Sequence, residues 1–228
     1  MQLKDWNNED EMFFTIRQKL YSAVIGDILD QHGYTHQFLP PEIRPLRDNM
    51  VIVGRALTVV ESDINQVTDE KISSKIFGVM LEALDDLKKD EVYICTGSSH
   101  DYALWGELMS TRAVNLGCAG AVLDGYLRDT NAVLSLGFPC FSCGSYAQDQ
   151  AVRGKVVDYR VPIKFGQVLI NPGDIIFGDI DGVCVIPSSV EEEIITAALE
   201  KARMEKIVKS KLESGVSACE AFATYKVI

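Results

Sequence analysis

The sequence predicts a layered α/β domain with a mostly parallel sheet, a β-rich C-terminal half and a long closing helix. Three observations predict it. Strand-like and helix-like stretches alternate between residues 50 and 136, the pattern of a parallel sheet with covered faces. Short β-branched runs separated by tight turns follow from 156 to 187. A long charged helix then closes the chain, acidic at its start (Glu191, Glu192, Glu193) and basic towards its end (Lys206, Lys209, Lys211), which complements the helix dipole.

The elements follow in order. Residues 9–33 read as an N-terminal helical region stopping near Gly33, and Pro40, Pro41 and Pro45 mark a connector. Met50 to Val60 is a β-branched strand. Ile72, Ile76, Val79, Met80, Ala83, Leu84 and Leu87 fall at helical spacing and predict a helix over 69–87. Glu91 to Cys95 is a strand, Gly97-Ser98-Ser99 a loop, and a helix is expected from about Ala103 to Leu116, with Gly117 and Gly120 as its stop. Ala121-Val122-Leu123 is a strand, Asp124 to Asp129 a turn, and Thr130 to Leu136 a short helix.

Further on, Val156 to Ile163 reads as a strand and Gln167 to Ile170 as another. Asn171-Pro172-Gly173-Asp174 fits a type II turn, with Pro at its second position and Gly at its third. Ile175 to Asp179 and Gly182 to Pro187 continue as short strands. Ser189 and Glu192 match a capping box at the start of the last helix. No linker or repeat divides the 228 residues, so one domain over 1–228 is expected.

Composition narrows the function. The net charge of −11 and the absence of a Lys/Arg block argue against direct nucleic-acid binding. No apolar run is long enough for a membrane span, and the acidic, polar start is unlike a secretory signal, so a cytoplasmic location is expected. Cys140 and Cys143 form a lone C-x-x-C, and the three histidines lack ligand spacing. Buried structural thiols are the simpler reading. G-x-G-x-x-G is absent, and no Lys sits in an apolar context suited to a Schiff base.

The chemistry concentrates in Trp105-Gly106-Glu107 through Arg128-Asp129. A carboxylate opens a helix-like stretch, a strand follows, and a Gly-containing turn presents adjacent cation and anion. On chemistry alone Arg128 and Asp129 read either as an ion pair on a turn or as a site for a hard metal ion and an anionic substrate. A single carboxylate with waters suits Mg²⁺ or Mn²⁺. Arg128 suits an oxyanion. Glu107 either compensates a helix dipole or works as a base through water. The N–H groups of Leu108 and Met109, just after it, suit a carboxylate.

The ordered set Val53-Gly54-Arg55-Ala56-Leu57-Thr58-Val59, Trp105-Gly106-Glu107, Gly117 through Asp129, and Pro172-Gly173-Asp174 through Val183 resembles the RraA-like family over roughly residues 13–215. That family includes metal-dependent aldolases of 4-hydroxy-4-methyl-2-oxoglutarate (HMG) and 4-carboxy-4-hydroxy-2-oxoadipate, and regulators of ribonuclease E. The resemblance implies a lyase releasing pyruvate from a small oxo acid, with Asp129 on the metal, Arg128 on substrate and Glu107 as catalytic carboxylate. The family's aldolases carry an acidic residue, twenty intervening residues and Arg-Asp. Glu107, residues 108–127 and Arg128-Asp129 reproduce that spacing, with Glu in place of the usual Asp. It also implies a homotrimer or homohexamer with sites between subunits, where Glu205 reaches a neighbour's metal waters; a solvated helix face is the other reading of Glu205. Oxaloacetate decarboxylation is mechanistically close. The alternatives are a non-catalytic ribonuclease regulator, or a lyase on a different hydroxy or sugar acid. His100 and Asp101 read as local structure. The N-terminal region and the 140–152 loop are placed to shape the pocket.

Overall fold

The computed structural model describes residues 6–227. Two helices, α1 (Glu9–Lys19) and α2 (Ser22–Gln31), precede the sheet, and β1 (Arg44–Pro45) leads into β2 (Ile52–Asp63). The N-terminal helical region is therefore two helices, broken where Leu20 and Tyr21 turn extended. Helices α3 (Glu70–Ser73) and α4 (Met80–Asp85) replace the single helix expected over 69–87. Gly78, at φ +63°, lies between them against the Val156 carbonyl, where a side chain would not fit.

Strands β3 (Glu91–Thr96) and β4 (Ala103–Trp105) come next, then α5 (Glu107–Leu116), β5 (Gly120–Leu123), β6 (Tyr126–Leu127), α6 (Thr130–Leu136) and β7 (Cys140–Ser142). The helix expected from Ala103 starts later. Ala103–Trp105 is a strand because its backbone pairs with Tyr126 and Leu127, which outweighs its helix-compatible composition. Gly117, at φ +77°, caps α5 as expected, whereas Gly120 opens β5.

The C-terminal half holds β8 (Gly154–Tyr159), β9 (Ile163–Phe165), β10 (Val168–Ile170), β11 (Ile175–Asp179), β12 (Gly182–Ile186), α7 (Glu191–Glu213) and α8 (Ala218–Tyr225). The run expected as one strand over 156–163 is split at Arg160, which adopts φ +55°. The turn at 171–174 forms, with Gly173 at φ +89° and Asp174 N–H donating to the Asn171 carbonyl. Ser189 does not take the N-cap position that the expected capping box requires. Val190 is the N-cap of α7, its N–H donates to the Pro187 carbonyl, and the turn is anchored by Ser188 N–H on Asp174 instead.

The main sheet runs β1-β7-β5-β3-β2-β11-β12, with β8 also on β2. Its core, β2, β3, β5 and β7, is parallel; β1, β8 and β11 pair antiparallel with core strands, and β12 pairs antiparallel with β11. This is the layered α/β arrangement predicted, with the long closing helix. Successive residues face different cores. Val92, Ile94, Val122, Phe141, Ile176 and Val185 pack on one face with Ile163, Phe165, Val168 and Ile170 of the β9–β10 hairpin. Tyr93, Cys95, Ala121 and Leu123 face a cluster that includes α4, α5 and α6. Phe177, Cys184 and Ile186 face α1, α2 and α7. Burial on both faces is why these strands read as continuous apolar runs. Among the described residues no helix is long and apolar enough to cross a membrane.

Candidate functional site

Parallel strands β3 and β5 each end in a short turn and continue as β4 and β6, which pair parallel in a small second sheet. The open end of a parallel sheet is where α/β proteins place ligands. Thr96 and His100, at the end of β3, both hold Asp124 at the end of β5, at 2.6 and 3.2 Å. His100 thus ties the β3 exit to the β5 exit. Arg128 N–H donates to the Trp105 carbonyl at 2.9 Å, which brings the β6 exit beside the α5 start.

The residues of the motif meet there. Glu107 is the first residue of α5, after Gly106 in extended conformation. Asp129 caps α6 from the left-handed region, φ 58°. Its Oδ2 accepts the Glu107 N–H at 3.2 Å. The first N–H groups of any helix lack intrahelical acceptors, so this contact satisfies one of them, and Leu108 and Met109 carry the next in line. A Cβ at Gly106 would lie 2.7 Å from Asp129 Oδ2, so a side chain there would have to displace that carboxylate.

Arg128 lies between carboxylates. Its Nη1 donates to Asp149 Oδ1 at 2.7 Å, and its Nε is 3.8 Å from Asp129 Oδ2. Arg128, Asp129 and Asp149 line a cavity of about 380 Å³ with Gly106, Leu108 and Met109. The remaining wall comes largely from α4 and β4. Arg128 and Asp129 also line a smaller cleft of about 280 Å³ with Thr130, Ser145 and Tyr146.

Of the expected site residues, Arg128, Asp129, Leu108 and Met109 line the cavity; Glu107 does not, and only its backbone N–H reaches Asp129. Glu205 does not line it. It lies on α7 with Tyr21, Val208 and Leu212 in a separate groove, 3.7 Å from Lys201, and burial raises its carboxyl above the ordinary value. Asp149, absent from the sequence expectations, holds Arg128; the only signal for it was its place in the 140–152 loop.

A second unpredicted group lies behind the wall. Glu61 is 2% exposed, and burial pushes its carboxyl up to about 8. Its oxygens accept from Gln150 Nε2 at 2.8 and 3.0 Å, and Gln150 is a wall residue beside Asp149. Tyr102 hydroxyl bridges Glu61 and Asp63. Burial also acts on Asp63, but the Ser99 N–H and the Tyr102 hydroxyl outweigh it and hold that carboxyl below its ordinary value.

Asp129 would offer a hard cation a single protein carboxylate. Among the described residues no group of three or more His, Cys, Asp or Glu gathers as a cage. A cation here would take one carboxylate and fill its remaining positions with water and substrate oxygens, as Mg²⁺ does. The missing Gly106 side chain leaves the flank of that carboxylate open.

The described cysteines are free thiols; Cys95, Cys140 and Cys184 are buried, as the structural reading expected, whereas Cys118 and Cys143 are only half-buried and Cys219 is exposed.

The RraA-like family model, described as Aldolase/RraA, matches residues 22–185. A Halalkalibacterium halodurans protein provisionally named 4-hydroxy-4-methyl-2-oxoglutarate aldolase is 31% identical over 92% of this chain and 93% of its own length. Protein DlpA of Legionella pneumophila is 29% identical over 90% of this chain, which spans only 32% of that protein. An uncharacterised Pseudomonas syringae protein superposes with a TM-score of 0.84 at 25% identity, covering 99% of both chains.

Proposed function

From the chain's place in the RraA-like family, to which it belongs, we propose that it is a divalent-metal-dependent lyase cleaving 4-hydroxy-2-oxo acids of the HMG type to pyruvate. The observation that carries this reading is the meeting of Arg128, Asp129 and the α5 start on one cavity wall. Names of relatives support an aldolase.

Each residue has a task. Arg128, fixed by Asp149, holds the 2-oxo oxygen, where negative charge develops as carbon–carbon cleavage leaves an enolate. A preorganised donor at such a position is worth roughly 10²–10³ in rate. The N–H groups of Leu108 and Met109 receive the substrate carboxylate. Glu107 accepts the C4 hydroxyl proton through a water. The C3–C4 bond then breaks, its electron pair moves to the 2-oxo oxygen, and C3 regains a proton to give pyruvate. Asp129 would hold Mg²⁺ or Mn²⁺, and that ion would supply Lewis-acid stabilisation of the enolate charge. Glu205 lies outside this wall, so a role for it requires a neighbouring copy in a trimer or hexamer.

Oxaloacetate decarboxylation uses the same charge stabilisation and belongs to the proposal as a side activity. The test is pyruvate release from HMG and from oxaloacetate with Mg²⁺, with Mn²⁺ and with EDTA, on wild type and Asp129→Asn. Metal-dependent release lost in the variant is the expected result. No release from either compound together with no metal binding overturns the proposal and leaves the non-catalytic ribonuclease regulator as the better reading.

A further inference from the structure

The cavity wall separates by chemistry. Its charged groups at the reacting end are Arg128, Asp129 and Asp149, linked at 2.7 and 3.8 Å. Much of the rest is hydrocarbon and thioether, with Met80, Leu84 and Leu104 each no more than 6% exposed. These three belong to the cavity floor and not to an exposed docking face. Trp105 brings no free polar group to the wall, because its indole N–H donates to Ser110 at 2.7 Å.

The other cation of the wall is Arg112, and its Nε already donates to Asp85 at 2.8 Å. A substrate whose single carboxylate lies on the oxo-acid head meets Arg128 and the α5 amides. A second carboxylate, beyond C4, meets apolar side chains and an Arg112 whose Nε is already held by Asp85. An anion there has to compete with Asp85 for that one cation, which is unfavourable against an otherwise apolar wall, whereas a hydrocarbon arm there leaves water.

We propose that this cavity selects 4-hydroxy-2-oxo acids with one carboxylate and an uncharged hydrocarbon arm on C4, in preference to HMG-type dicarboxylates. The inference rests on the lyase reading above. The reaction balances in the same way: the C4 hydroxyl loses its proton, the C3–C4 bond breaks, C3 takes up a proton to give pyruvate, and C4 leaves as the aldehyde carrying the arm.

The experiment measures kcat/KM for pyruvate formation by the full chain with Mg²⁺. The substrates are 4-hydroxy-2-oxopentanoate, 4-hydroxy-2-oxohexanoate, 4-hydroxy-2-oxoheptanoate and HMG, with oxaloacetate decarboxylation as control. Each added methylene is expected to raise kcat/KM about fourfold. HMG is expected at least about tenfold below the heptanoate, because its second carboxylate competes with Asp85 for Arg112 on an otherwise apolar wall. Asp85→Asn, at a side chain 66% exposed, releases Arg112 and is expected to raise the HMG-to-heptanoate ratio about fivefold or more. Asp129-dependent oxaloacetate turnover with a flat alkyl series, or with HMG preferred, overturns the arm assignment and leaves the lyase standing. No turnover of any compound with metal present sinks both.

Discussion

Glu61→Gln tests the buried network behind the cavity. Glu61 is 2% exposed, accepts from Gln150 and Tyr102, and has its carboxyl pushed by burial from 4.5 to about 8. Below pH 4.5 the acid is protonated in both the folded and the unfolded chain, and it adds no pH dependence. Between pH 4.5 and about 8 the unfolded chain ionises while the folded one does not, so Glu61 lowers stability progressively as pH rises. Above about pH 8 both ionise and the loss is complete. At about 1.4 kcal/mol per pH unit, the loss is about 3 kcal/mol at pH 7 and between about 4 and 5 kcal/mol when complete. Glutamine keeps the shape, carries no charge and forfeits at most about 1 kcal/mol of hydrogen bonding. Urea unfolding of wild type and E61Q should therefore give stabilities within about 1 kcal/mol at pH 5, with the variant ahead by roughly 3 kcal/mol at pH 8.5. A difference between the two proteins that stays constant from pH 5 to 8.5 would refute the argument, because Glu61 would then ionise equally easily folded and unfolded.

Three further outcomes follow from the geometry. Gly106→Ala places a Cβ 2.7 Å from Asp129 Oδ2 and must displace that carboxylate; pyruvate release should fall by about tenfold or more while the urea midpoint moves little, consistent with the sensitivity of reacting geometry to small misplacements. Arg55→Ala removes contacts to Glu9, Glu191 and the Gly173 carbonyl that join α1, β2 and the α7 start, and it should lower stability by about 2 kcal/mol in urea unfolding, with loss of charge-assisted bonds as the cause. Burial raises the thiols of Cys95, Cys140 and Cys184 well above their ordinary range and that of Cys118 to about 12, whereas Cys219 is exposed; a thiol-reactive disulfide at pH 8 should label Cys219 fastest in the native protein, and rapid labelling of Cys140 would contradict the packing.

The parallel core was legible because β3 and β5 are buried on both faces and carry short apolar runs, and β2 is rich in β-branched residues around Arg55 and Thr58. Strand β7 was not, since Cys140–Ser142 is three residues long and its pairing with β5 is a long-range event. Helix α4 was legible as helix, but its start was not, because Gly78 breaks a spacing that stays regular through Ile76, which is 66% exposed. Within the site, Glu107, Arg128 and Asp129 were readable only through the spacing shared with the RraA-like family, since the residues by themselves also fit an ion pair on a turn and a helix-dipole carboxylate. Asp149 and Glu61 were not: Asp149 acts from a loop without periodicity, and Glu61 reads as the polar end of a strand when it is in fact buried under Tyr102 and Gln150.

Short strands β4 and β6 explain why the motif needs its particular spacing. The Arg128 N–H on the Trp105 carbonyl locks the last residue of β4 beside the first residue after β6. One residue past each anchor the chain enters a helix, α5 at Glu107 through Gly106 and α6 after Asp129. The intervening twenty residues are then the rest of α5, the connection 117–119, strand β5, the Asp124-Gly125 turn and strand β6, which return the chain to the same edge. A change of register in β4–β6 would turn alternate side chains to the opposite face and part Asp129 from the Glu107 N–H, even with every site residue retained. The spacing thus encodes a backbone pairing first, and the chemistry of the three charged residues depends on it.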